Sequence, residues 1–184
     1  MIKLFKSTCL SLRSLTKLTF VFLLISVSCS DDKTYSLKTS EQVLEIRKPI
    51  HELYKSLKVE DEKTPNFEFI YSLFTKTAKL GYVKDDSLIL KSPNEYFSGM
   101  KGAIDKGIIK LLHEWEIKGK TEYFGNVAHH LSTYGVYFGT TDSIAERGVT
   151  SFQLIRIKEA WKIQSMIWKA EDESSKIPSN YLEN

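Results

Sequence analysis

His129, His130, Ser132 and Tyr134 fall in one short run of the chain where β-rich residues alternate with a period of two. Groups of this kind can orient a ligand, and an imidazole can also take a proton as a general base. The plainer reading is that they are hydrogen-bonded groups in a partly buried core. Neighbours on a strand point to opposite faces, so His129 and His130 cannot jointly hold one metal ion. His113 can share a face with His130, but no carboxylate or thiolate at ligand spacing accompanies that pair, and no metal is expected. No serine carries a nucleophile signature, and Gly99 and Gly102 do not form a phosphate-binding loop, so no cofactor is expected either. Trp115, Trp161 and Trp168 stand at strand spacing and read as core or pocket lining.

The elements that must position these groups are legible in outline. From Ile109 onward four β-rich runs follow one another: Ile109–Lys120, Val127–Phe138, Val149–Ile157 and Trp161–Trp168. Phe124-Gly125-Asn126-Val127 and Lys158-Glu159-Ala160 are hairpin turns. A turn centred on Gly125-Asn126 puts odd positions of the first strand on one face with even positions of the second. One face then carries His113, Trp115, Ile117, Tyr123, Ala128, His130, Ser132, Tyr134, Val136 and Phe138. The other carries Glu114, Glu116, Lys120, Glu122, His129, Leu131, Thr133 and Tyr137. The first set is more apolar and is assigned to the concave side, with every acid of the hairpin outside; a one-residue slip would exchange the sets.

Ahead of the strands the spacing is helical. Ser40 caps a helix over 41–58 whose apolar face is Val43, Ile46, Ile50, Leu53 and Leu57. A second helix is expected over 65–79, a strand over Tyr82–Leu90, and a third helix capped by Ser92 with Pro93 at its first position. Helices first and a strand meander afterwards is an α+β order, solved most simply by one antiparallel sheet with its apolar face covered by helices.

The first thirty residues are of another kind. Lys3, Lys6, Arg13 and Lys17 precede the apolar run Leu18–Val27, and no acid occurs before Asp31. That pattern reads as an export signal over 1–28, too short to span a bilayer. One of the two cysteines, Cys29, follows the apolar run, and the other lies within the signal. The segment resembles a bacterial lipoprotein signal, which implies acylation of Cys29 and a location in the cell envelope as an outer-membrane, surface-facing lipoprotein. Ser26 and Ser28 also satisfy ordinary small-x-small cleavage, which would leave Cys29 unmodified. Residues 29–40 read as a tether and 41–184 as one domain. Removing the four basic residues of 1–28 from the net charge of +3 leaves −1. A nearly neutral domain has no electrostatic footprint for nucleic acid.

Several passages resemble a known group. Glu114-Trp115-Glu116-Ile117, Phe124-Gly125-Asn126-Val127-Ala128-His129, Ser132-Thr133-Tyr134, Arg147–Leu154, Trp161-Lys162-Ile163 and the closing Ile177–Leu182 are similar to SnoaL-like domain proteins of the nuclear transport factor 2-like superfamily. The likeness runs from about Lys48 to Leu182. It implies a cone-shaped α+β fold and no particular reaction. Isomerases of that superfamily use a buried carboxylate as base, which the outward acids of this hairpin would not supply.

The expected site is therefore a pocket for a small apolar molecule without a dedicated base. Tyr54, His130, Ser132 and Tyr134 line it, joined by Gln153 or Trp168 from the last strands, whose faces the hairpin does not fix. The alternatives are an enzyme of isomerase, cyclase or hydrolase type, or an assembly module. Leu131, Thr133 and Tyr137 on the outer face suit a homodimer.

Overall fold

A computed structural model of the chain describes residues 31–60, 63–84 and 87–183. The expected export signal, with Cys29, lies outside them. The first element, α1 (Asp31–Ser56), starts ten residues before the expected helix, so most of the segment read as a tether is helical and Ser40 lies within the helix. The reason is local. No Gly or Pro stands between the start of the helix and the anchored apolar stripe, from which a helix propagates at little cost. Of that stripe Ile46, Ile50, Leu53 and Leu57 are buried, together with Tyr54.

The helix expected over 65–79 is cut to α2 (Phe67–Ser72), whose Phe69 N–H donates to Asn66 Oδ1 at 3.1 Å. Leu73 closes it, and the chain enters strand β1 (Phe74–Lys84). Here sheet pairing overrides helical spacing: the Leu73 carbonyl accepts from Ile163 N–H at 3.0 Å, and Phe74, Ala78 and Leu80 are buried. The single strand expected over Tyr82–Leu90 is two arms of a hairpin, β1 and β2 (Ser87–Lys91), with Tyr82 opposite Ile89. Helix α3 (Pro93–Asp105) starts at its expected Ser92 cap, which forms a capping box: Ser92 Oγ accepts from Glu95 N–H and the Glu95 carboxylate accepts from Ser92 N–H.

Four long strands complete the chain: β3 (Leu112–Phe124), β4 (Val127–Phe138), β5 (Glu146–Ile157) and β6 (Ala160–Ala170). They pair antiparallel in sequence order, as expected of a meander, while β1 joins β6 in parallel. The result is one curved six-stranded sheet in the order β2-β1-β6-β5-β4-β3. α1 packs against β3 and β6, and α3 against β1 and β2. The core lies between them, where Ile46, Ile50 and Leu53 of α1 and Phe152, Leu154 and Ile163 of the sheet are almost wholly enclosed. Each such side chain contributes roughly 1.5–3 kcal/mol on burial.

Candidate acid–base site

One irregularity decides which side chains enter the cone. From the turn inward β3 and β4 keep one register, Phe124 opposite Val127 through to Lys118 opposite Thr133. Beyond it Glu116, not Ile117, stands opposite Tyr134, so Ile117 is the extra residue of a β-bulge. A bulge adds one residue and thereby exchanges the faces of everything beyond it. Glu114 and Glu116, expected outside, face inward with His130, Ser132 and Tyr134. His113 and Trp115, expected inside, turn to the outer face with Tyr137, where the Trp115 and Tyr137 ring centroids are 4.7 Å apart. Trp115 fits there because residue 135 is glycine: a Cβ would meet its ring at 2.7 Å.

A polar cluster forms where the acids turn in. His130 is wholly enclosed. Its Nε2 lies 2.6 Å from Glu116 Oε2 and its Nδ1 2.7 Å from Thr121 Oγ1. Arg47 of α1 donates to Glu116 Oε1 at 2.5 Å. Burial pushes the Glu116 carboxyl up, but the His130 bond and charge, the Ser132 hydroxyl and Arg47 outweigh it and hold the group at about 2. Ser132, also enclosed, meets the Tyr54 hydroxyl at 2.9 Å.

Glu114 has the opposite environment. Among the described residues it has no hydrogen-bond partner or ion pair, and it lines two cavities at once. One, of about 420 Å³, opens between α1 and the β3 edge beside Tyr54, Trp115 and Glu116. The other, of about 180 Å³, lies deeper among Tyr96, Tyr134, Glu146, Thr150 and Trp168. Part of Glu114's surface is open, toward these spaces, yet protein surrounds it so closely that burial, and then the charge of Glu146, raise its carboxyl to about 8. At neutral pH it is a protonated acid with its proton close to release.

Three phenols surround it. Burial, then Glu114, pushes Tyr54 far above the usual range, and burial, then Glu146, does the same to Tyr134. Burial followed by Glu114 and Glu146 raises Tyr96 to about 12. All three stay protonated donors at physiological pH. Tyr134 gives its proton to Glu146 Oε1 at 2.8 Å, whereas the Tyr96 hydroxyl has no protein partner among the described residues. The Thr150 hydroxyl is also buried without a partner beside the deeper cavity. An unpaired acid, a free phenol and an unpaired hydroxyl around one space can protonate a bound oxygen and hold the charge that develops there.

The expected site residues divide. Tyr54 and Trp168 line the outer and the deeper cavity respectively, and Tyr134 the deeper one. His130 and Ser132 face the cone but lie behind Glu116 and Tyr54, fully enclosed. Gln153 does not join them. It stands on the exposed outer face opposite His129 and Ser165, because inward positions of β5 are even: Thr150, Phe152 and Leu154 are buried. His129, as expected, is outside, at 2.9 Å from Ser151 Oγ.

No protein-family model matches the chain, and no curated protein matches it. Solved structures do. A protein of unknown function with a cystatin-like fold from Nostoc punctiforme aligns over 73% of this chain and 94% of its own, at 15% identity and TM-score 0.57. A protein from Novosphingobium aromaticivorans described as a scytalone dehydratase aligns over 74% and 89%, at 10% identity and TM-score 0.57. An NTF-2 like protein of unknown function from Silicibacter pomeroyi aligns over 72% and 98%, at 11% identity and TM-score 0.51. The chain has the nuclear transport factor 2-like fold.

Sequence reasoning missed Glu114, Glu116, Arg47, Tyr96, Thr121 and Glu146 within the nuclear transport factor 2-like cone. Gly119 was the available signal, since a glycine inside a strand pattern marks a bulge or a close approach. Here it marks both: a Cβ on Gly119 would meet His130 Cε1 at 2.5 Å and Glu116 Oε1 at 2.6 Å. Among the described residues of the cone, no group of three or more His, Cys, Asp or Glu side chains could hold a metal ion.

Proposed function

We propose that the protein binds a small, largely apolar molecule in the cone and that Glu114 transfers a proton to or from it, as in isomerisation or dehydration. One observation carries this reading: a carboxyl without a protein partner lines both cavities and is held at about 8. Catalytic acids and bases need values near the operating pH, and such values concentrate at functional sites. The phenols of Tyr54 and Tyr96 supply donors on either side. Glu116, saturated by His130 and Arg47, forms part of the wall, and His130, enclosed behind it, does not touch substrate. A fold neighbour described as a scytalone dehydratase is in keeping with proton-transfer chemistry in such a space.

The address completes the proposal. The basic and apolar segment over 1–28 with Cys29 behind it supports export, acylation and a location at the cell envelope. The outer face around Trp115 and Tyr137 supports pairing with a second copy.

The chemistry is tested by exchange of the α-protons of cyclohexanone in heavy water, followed by NMR. The reading expects exchange above the buffer rate that falls at least about a hundredfold in Glu114→Gln, within the range of general acid–base contributions. If cyclohexanone binds but exchanges no faster than in buffer, the site is a binding site only.

A further inference from the structure

The mouth of the larger cavity has a property that the proton-transfer reading does not use. Arg47, His51 and Lys55 recur at four-residue spacing on α1, so they lie on one face of the helix, and all three line the cavity. Two of the basic groups at the mouth are matched: Arg47 is bound by Glu116, and Lys58 forms an ion pair with Glu60. Lys55 and His51 have no acidic partner among the described residues.

The carboxyls across the cavity do not fill that role. Glu116 is already shared between Arg47 and His130. Glu114 is raised to about 8 and is mostly uncharged at neutral pH. Beneath the basic rim the wall is Ile50 and Tyr54. The space of about 420 Å³ is thus apolar below and positive above, and a cleft with charges of one sign over low-dielectric walls concentrates the field on whatever enters.

We propose that the ligand is an amphipathic anion whose carboxylate or phosphate head is held at the mouth by the charge of Lys55 and a hydrogen bond from His51 while its apolar body lies against Ile50 and Tyr54. This rests on the reading of the cavity as a small-molecule site and narrows the class of molecule it takes. The charged head stays at the rim, and the apolar end points toward Glu114.

The test uses three probes of one shape, 2-naphthoate, 2-naphthyl phosphate and the neutral 2-naphthamide, titrated by calorimetry into the domain. At least one anion should bind about tenfold or more tightly than the amide, the scale of one exposed charge contact. Which anion does so distinguishes the carboxylate from the phosphate source. The preference should shrink to within about threefold in the His51→Gln/Lys55→Gln double variant, and rising ionic strength should weaken the anion but not the amide. Equal or tighter binding of the amide, a preference that survives the double variant, or no binding by any probe overturns the proposal. Cyclohexanone exchange carries no charge, so its loss in Glu114→Gln reports on the proton-transfer reading independently.

Discussion

Glu116 and His130 meet at 2.6 Å inside the cone, with none of the His130 surface open to solvent. Glu116 is held at about 2 in the native state against an ordinary 4.5. Between these values the unfolded chain binds a proton that the native chain does not, so native stability is lost as pH falls through this range. The expected loss is on the order of 3 kcal/mol. Urea titrations of wild type and Glu116→Gln between pH 5 and pH 2 check it: the wild-type slope should be steeper. His130→Ala, which leaves the part-buried carboxylate without its enclosed partner, should cost about 3–5 kcal/mol at pH 7.

Glu114 predicts the opposite trend. Its carboxyl is raised to about 8, so above pH 4.5 the native chain retains a proton that the unfolded chain releases. Stability therefore falls as pH rises toward 8. Glu114→Gln removes this dependence and should be more stable than wild type at pH 8.5, by roughly 2–4 kcal/mol. Thermal melts of both proteins at pH 5 and pH 8.5 measure it. Equal melting differences at the two values would contradict the assignment.

Two glycines give a paired test of packing. Gly119→Ala places a methyl group 2.5 Å from His130 Cε1 and 2.6 Å from Glu116 Oε1, and should cost about 1–3 kcal/mol through overpacking. Gly99, inside α3, has no heavy atom within 4 Å of an added Cβ. Gly99→Ala should stabilise by about 0.5–1 kcal/mol through helix entropy. Denaturant midpoints of the two variants should move in opposite directions.

Much of the fold was readable because long alternating runs and strong turn signals agree. β4 occupies its expected Val127–Phe138 range, and Phe124 pairs with Val127 across the expected turn. Reading failed where tertiary pairing competes with local spacing. Phe67, Ile70, Leu73 and Phe74 have helical spacing, but Leu73 is bonded to Ile163 and the chain beyond it is sheet. The site was half legible for one reason. The inward residues of β4 follow strict alternation, so His130, Ser132 and Tyr134 were placed on the concave side. Those of β3 do not, because Ile117 is an extra residue that alternation cannot reveal, and with it both carboxyls changed face. Gln153 depended on a parity that only the β4–β5 register supplies.

Address and assembly are separately testable. Intact mass of protein from the membrane fraction should begin at Cys29 with acyl chains attached, since stable anchoring needs more than one chain; a free Cys29 would refute lipidation. Part of the outer face is already buried within the chain: Thr133 is enclosed, in a region that Asn180 and Tyr181 of the C-terminal segment border. Pairing is therefore expected around Trp115 and Tyr137. Sedimentation at tens of micromolar, roughly the scale at which weak interfaces fill, should show a dimer that Trp115→Glu converts to monomer. A wild-type monomer would remove the interface.

The central claim is that one carboxyl in the cone waits protonated at neutral pH. Carbon-13 NMR of protein labelled at the glutamate side-chain carboxyl follows every glutamate through a pH titration. One resonance should titrate with a midpoint near 8 and be absent from Glu114→Gln. If all glutamates titrate near or below the ordinary 4.5, or if the high midpoint survives in Glu114→Gln, then Glu114 is not the group poised to move a proton.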